Sequence, residues 1–210
     1  MKYLNFICTI FCCILYGVLS KSVTDKKCHL LEIPLQKDFD ISRFEGLWYA
    51  SHKTGIKDSI LSYFTEIYDG RIHFKSNIAG GFDLKAAGSK FYGGWCPKGK
   101  GNAAVKDEKA PEKMTMYFDT SIGRKIGMKP AWVLKTDYKN YAVFYSCWKE
   151  LQNGKCDSDK TYAFVTTRST KPLSKQKLGE VEQALASACV DISDLTPVKH
   201  YGYCQEKDGL

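Results

Sequence analysis

Short β-like runs rich in apolar residues, set apart by turn residues, fill the chain from Trp48 to Arg168. They cover 47–51, 61–68, 71–77, 81–92, 113–119, 131–136, 141–148 and 161–168. Runs of this length between turn signals predict strands. Asp69-Gly70 between two runs predicts a hairpin turn, and Gly80-Gly81 and Gly93-Gly94 bracket another run. About eight strands at this spacing predict an all-β protein, an up-and-down barrel or a sandwich. One segment breaks the pattern. Over 172–188, Leu178, Val181, Leu185 and Ala188 recur at helical spacing, with Lys175, Lys177, Glu180 and Glu182 between them. This predicts one C-terminal amphipathic helix packed outside the sheet, with Pro172 in its first turn.

The start of the chain has a different character. Lys2 precedes an apolar stretch over 4–19, and Val18 and Ser20 suit a cleavage site. Residues 1–20 are therefore expected to be a signal peptide, and 21–210 one domain in an extracellular setting. The apolar stretch is short for a membrane span, and no later one is longer. No stable insertion in a membrane is expected.

Nine cysteines are present, of which Cys8, Cys12 and Cys13 lie in the leader. The remaining six are Cys28, Cys96, Cys147, Cys156, Cys189 and Cys204. An even set behind a secretory leader implies a disulfide framework. Asn153-Gly154 reads as a turn, which lets Cys147 and Cys156 face each other within disulfide reach. For the full set, sequence alone leaves fifteen pairings open. The net charge of +8 comes from lysines and arginines scattered among acids. That distribution predicts a mixed, solvated surface and no nucleic-acid partner.

Three ordered motifs narrow the fold. The first is Asp40-Ile41-Ser42-Arg43-Phe44-Glu45-Gly46-Leu47-Trp48-Tyr49, a helical turn feeding a strand through a glycine. The second is Thr136-Asp137-Tyr138 with its continuation to Cys147, and the third is Arg168 at the end of the last run. Together they resemble the signatures of the lipocalin family. Within it the likeness is to the retinol-binding group, with the apolipoprotein D and crustacyanin groups as relatives. The ending His200-Tyr201-Gly202-Tyr203-Cys204 shares that likeness.

The resemblance implies an eight-stranded antiparallel barrel with one outer helix. It implies the pairs Cys28–Cys189, Cys96–Cys204 and Cys147–Cys156. It gives Gly46, Trp48 and Arg168 a structural role, with the guanidinium lying over the indole and sealing the barrel base.

Function in such a barrel belongs to its inner face. Strand parity and the resemblance together put Phe74, Met116, Phe118, Phe144, Tyr162, Phe164 and Thr166 on a ligand-binding wall, with Ser76 and Ser146 beside them. This wall is nearly free of charge, which suits a long apolar molecule such as a retinoid, carotenoid, bilin, steroid or fatty acid. Ala131 and Phe144 stand where the retinol-binding group has a histidine and a glutamine. Gly99 and Gly101 stand where larger or comparable residues line that group's mouth, and these departures together predict a wider, more apolar cavity.

The expected function is a secreted carrier of a small hydrophobic ligand. A pigment-binding subunit, or a lipocalin acting through protein contacts at Tyr92, Trp95 and Trp148, is the alternative. His29, His52, His73 and His200 show no metal-ligand spacing, and no nucleophile elbow or phosphate loop occurs. No enzyme activity, metal or cofactor is expected.

Overall fold

Asp40 caps a single helical turn, α1 (Ile41–Phe44), by accepting a hydrogen bond from the Arg43 N–H. Gly46, at φ +98°, then swings the chain into strand β1 (Gly46–Thr54). The computed structural model describes residues 28–55, 67–89 and 96–204. The expected leader, the 61–66 part of one run, the Gly93-Gly94 turn, Tyr92 and Trp95 lie outside those residues.

Eight antiparallel strands close on themselves. After β1 come β2 (Tyr68–Ser76), β3 (Phe82–Ser89), β4 (Lys98–Val105), β5 (Lys113–Phe118), β6 (Lys129–Thr136), β7 (Tyr141–Cys147) and β8 (Thr161–Thr167). Each pairs with the next in sequence, and β1 pairs with both β2 and β8 to complete an up-and-down barrel. A short helix, α2 (Ser121–Ile126), joins β5 to β6. The outer helix is α3 (Lys175–Ser187). A short strand, β9 (Leu195–Pro197), adds to the upper half of β1.

The structure corrects the strand reading in two places. Asp69-Gly70 is not a hairpin turn; it is an irregularity inside β2, between the pairs Tyr68–Ser89 and Arg71–Ala87. Asp69 sits at φ +52°, a conformation that serves a bulge as well as a tight turn. Its buried carboxylate accepts hydrogen bonds from the Tyr201, Gly202 and Tyr203 N–H groups at 2.6, 3.0 and 2.8 Å. Arg71 Nη1 donates to the Cys204 carbonyl at 2.8 Å. These residues serve the C-terminal tail, which no local pattern announces. The strand missed in the sequence is β4, whose Lys-Gly-Lys-Gly start lacks β-branched and aromatic residues. Its partners β3 and β5 impose the conformation.

α3 begins later than expected. Ser174 caps it by accepting from the Lys177 N–H, and Pro172 lies two residues before the cap. Val181 and Leu185 of α3 are buried against Val143, Tyr145, Ala163 and Val165 on the outer face of β7 and β8. Each such side chain contributes roughly 1.5–3 kcal/mol. The Tyr141 hydroxyl donates to Glu180 at 2.7 Å. Lys177 lies 3.3 Å from both Asp137 and Glu180. The helix is thus tied to the β6–β7 hairpin by charge as well as by apolar packing.

The three disulfides join Cys28 to Cys189, Cys96 to Cys204 and Cys147 to Cys156, with Cα separations of 5.7, 5.6 and 5.7 Å. The first staples the N-terminal segment to the end of α3, and the second holds the tail.

Two predictions follow from these ties. Asp69→Ala removes one buried acceptor carboxylate from three part-buried N–H groups and leaves a left-handed backbone without its preferred residue. A loss of about 3 kcal/mol in urea unfolding is expected; an unchanged midpoint would contradict the role given to Asp69. The second concerns pH. Burial opposes ionisation of Asp137, but hydrogen bonds from the Asn140 side chain, the Asn140 and Tyr141 N–H groups and Lys177 hold its carboxyl below the ordinary value. Glu180 is lowered too, chiefly by the Tyr141 hydroxyl. Depressed carboxylates stabilise the fold above their unfolded pKa, and that stability fades as pH falls through the folded values, below about pH 4. Urea midpoints of native protein and Asp137→Asn should differ at neutral pH and converge in acid.

Candidate ligand-binding site

One end of the barrel is sealed, and the opposite end is its rim. At the sealed end Trp48 is fully buried, its indole N–H donating to the Phe44 carbonyl at 2.9 Å. Arg168 lies over the ring with Cζ 3.8 Å from its centroid. The guanidinium also donates to the carbonyls of Leu47 (3.0 Å), Tyr138 (3.1 Å) and Phe44 (3.2 Å). One side chain therefore joins α1, β1 and the β6–β7 turn. A Cβ on Gly46 would stand 3.1 Å from Arg168 Nη1, so both its φ and its surroundings favour glycine.

The Thr-Asp-Tyr motif builds the adjoining turn. Thr136 donates its hydroxyl to the Tyr141 carbonyl at 2.7 Å and accepts from the Tyr138 N–H at 2.9 Å. Asp137 accepts from the N–H groups of Lys139, Asn140 and Tyr141. Tyr138, at φ +65°, turns its hydroxyl back to accept from the Asp40 N–H at 2.9 Å. The first and second motifs thus meet at one end of the barrel.

Above this seal lies an aromatic floor. Phe44, Phe74, Phe82 and Phe144 are fully buried. Phe44 packs edge-on against Phe74 with ring centroids 5.1 Å apart, and Phe74 against Phe82 at 5.3 Å. Phe164 stacks on Phe144 at 4.4 Å and is half-buried. Met114, Met116, Ala131 and Val133 belong to the same inner cluster, with Ile72 and Phe118 packed against it.

All seven residues assigned to the ligand wall lie on the inner face. Phe74 and Phe144 are embedded in the floor, while Met116, Phe118 and Phe164 stand above them. Tyr162 pairs with Ser146 one layer higher. Thr166 faces inward between Ala50 and Ala142, and its hydroxyl is buried without a hydrogen-bond partner. Ser76 is exposed below the floor, where its N–H donates to Glu45. Ser146 is engaged, donating to the Pro130 carbonyl and accepting from the Trp148 indole N–H at 3.0 Å.

Two expectations about the rim change. Gly99 and Gly101 do not widen the cavity. A Cβ on Gly101 would stand 2.9 Å from Phe118 Cδ1 and closer still to the Tyr117 carbonyl oxygen, and one on Gly99 would stand 2.9 Å from Thr120 Cγ2. Neighbouring groups occupy the space these glycines vacate. Trp148 is not an outer-surface aromatic. It is half-buried at the rim, 4.1 Å from the Tyr162 ring.

The rim also holds charge that the sequence reading left out. Lys129 pairs with inward-facing Met116, and its Nζ lies 5.0 Å from the Trp148 ring centroid. Extending the inner set Ala131/Val133 back by two residues reaches it. Lys53 pairs with inward-facing Phe164 because a bulge after Ala50 shifts the register. No alternation rule reveals that placement.

A groove of about 610 Å³ also opens on the outer wall, between Thr54, Tyr145, Thr161 and the Cys28–Cys189 staple. Its strand residue Tyr145 belongs to the outer cluster under α3, and the groove gathers no set of convergent catalytic groups. The barrel interior is the better candidate, because its apolar side chains converge from several strands on one enclosed face.

Burying the Thr166 hydroxyl unpartnered costs roughly 1–3 kcal/mol. Thr166→Val should therefore stabilise the ligand-free protein by about 1 kcal/mol in thermal unfolding. A lower melting temperature would show that the hydroxyl does have a partner.

Comparison with known proteins agrees with this architecture. Residues 98–193 match the Lipocalin / cytosolic fatty-acid binding protein family. Retinol-binding protein 4 of Gallus gallus is 27% identical over 194 residues, covering 89% of this chain and 92% of that protein. Purpurin of the same species is 27% identical over 214 residues, covering 97% and 100%. Among solved structures, apocrustacyanin C1 superposes with a TM-score of 0.64 at 21% identity, over 82% of this chain and 86% of that one. The amine binding protein of Rhodnius prolixus, solved with tryptamine, gives 0.57 at 21% identity, over 79% and 83%. Signatures, the family match over 98–193, relatives along nearly the whole chain and barrel topology all point the same way, and this chain is similar to the lipocalins in sequence and in fold.

Proposed function

We propose that this protein is a secreted carrier that takes up one small, mostly apolar molecule inside its barrel. The observation that carries the reading is the inner face itself. Met116, Phe118 and Phe164 form an uncharged layer over an aromatic floor, and the end below is sealed by Arg168 and Trp48. Burial of apolar ligand surface against that layer drives uptake, and the rim governs exchange. Relatives named for retinol, and a fold neighbour solved with an amine, support a role in binding rather than in catalysis. The candidate ligands are a retinoid, carotenoid, bilin, steroid or fatty acid. The signal-peptide character of 1–20, together with the disulfides, supports secretion.

The pigment-subunit reading has less behind it. Of the aromatics offered for an outer contact surface, Trp148 is turned to the rim. Absorption spectroscopy of the protein from its native source, with mass spectrometry of its solvent extract, tests the carrier reading. A co-purifying apolar molecule is expected. Absence of any bound molecule, with no uptake from a panel of the candidate ligand classes, would refute it.

A variant probes the wall directly. Phe164→Asp removes a ring from the cavity and sets a carboxylate there. Retinol titration followed by fluorescence should show affinity lowered by about a hundredfold or more, with the fold retained by circular dichroism. Equal affinity in the folded variant would place the ligand elsewhere.

A further inference from the structure

The inner face is uncharged through its floor and middle layer and becomes basic at the rim. Lys129, near the start of β6, is directly opposite Met116, and residues opposite each other in an antiparallel pair share a face. Its aliphatic stem therefore rises along the inner wall, and its ammonium lies 5.0 Å from the Trp148 ring centroid. Trp148 packs on Tyr162, and its indole N–H is committed to Ser146. The Ser146 hydroxyl is in turn committed to the Pro130 carbonyl. These neighbours offer Lys129 a π face but no negative charge. Among the described residues no carboxylate pairs with it, whereas other surface cations, Arg124, Lys149 and Lys177, each have one.

Lys53 adds a second inward-facing cation. The bulge after Ala50 sets it opposite Phe164. Because β6, β7, β8 and β1 are consecutive around the barrel, Lys129, Trp148, Tyr162 and Lys53 form one arc of the rim. An ammonium at the edge of an apolar cup is partly desolvated and is best satisfied by an anion within hydrogen-bond reach. A neutral alcohol, aldehyde or hydrocarbon end would leave the Lys129 charge unmatched.

We propose that the ligand is an amphiphile ending in a carboxylate, bound with its acid group against Lys129 at the rim and its apolar chain against Met116, Phe118 and Phe164. The inference rests on the carrier reading and narrows it to acids. Lys129 is the specificity-determining residue, and the aromatic wall supplies affinity common to acids and alcohols alike. The protein's net charge of +8 also favours approach of anions.

Two matched pairs of probes test this on the full mature protein: retinoic acid against retinol, and palmitic acid against hexadecanol. Each acid should bind about tenfold more tightly than its alcohol at low salt, the scale of one charge-assisted hydrogen bond. The preference should shrink at about 0.5 M salt. Lys129→Met, which keeps the apolar stem, should abolish it while leaving alcohol affinity nearly unchanged. Lys129→Arg, which keeps the charge, should preserve it. Acid and alcohol binding equally to the native protein, or a preference that survives Lys129→Met, would overturn the assignment while leaving the carrier reading intact. Failure of all four probes to bind would overturn the acid assignment and leave the carrier reading to the wider panel of ligand classes.

Discussion

Everything else in the barrel depends on the guanidinium of Arg168 lying against the face of Trp48. A barrel of eight strands is open at both ends unless something fills one of them. Here the plug is α1 with Phe44, and it stays in place because Arg168 binds carbonyls of α1, β1 and the β6–β7 turn while covering the indole. The arrangement needs a planar cation with several donors, which lysine does not offer. It also needs a glycine at position 46, where a larger residue would press on the guanidinium. The three motifs that are far apart in sequence are parts of a single device.

That device divides the interior into zones with different duties. The floor is a solid aromatic core made by Phe44, Trp48, Phe74, Phe82 and Phe144, and it behaves as the core of any small domain. Phe74 and Phe144 are thus packed into the floor, below the layer that faces the rim. The middle layer is apolar but less completely buried. The rim adds indole, hydroxyl and ammonium groups. On the other side of the same strands, Val143, Tyr145, Ala163 and Val165 form a separate core with α3. β7 and β8 are therefore apolar on both faces, so their sequences read as continuous hydrophobic runs.

How much of this was legible beforehand follows from how local each signal is. Strand parity was readable where alternation is clean, as in Met114/Met116/Phe118, and the outer stripe of α3 was readable from its spacing. The Cys147–Cys156 pairing was also readable from the Asn153-Gly154 turn, whereas the other two pairings came only with the family resemblance. Asp69-Gly70 misled because its partners are the backbone amides of residues 201–203, over a hundred positions away. β4 was invisible because its glycines and lysines lack strand preference and the flanking strands hold it. Lys129 was within reach of the alternation rule, but Lys53 was not, since the rule assumes an unbroken register.

The bulge after Ala50 has a consequence for how such a cup changes over generations. It turns the remainder of β1 over, setting Ser51 and His52 together on the outside and Lys53 within. Straightening that bulge at constant chain length would turn His52 inward and carry a lysine from the lip of the vessel to its outer wall. The floor, fixed by residues before the bulge, would be untouched. A lineage built on this scaffold can thus recast the chemistry of its opening by keeping or losing one bulge, without altering one residue that holds the barrel closed.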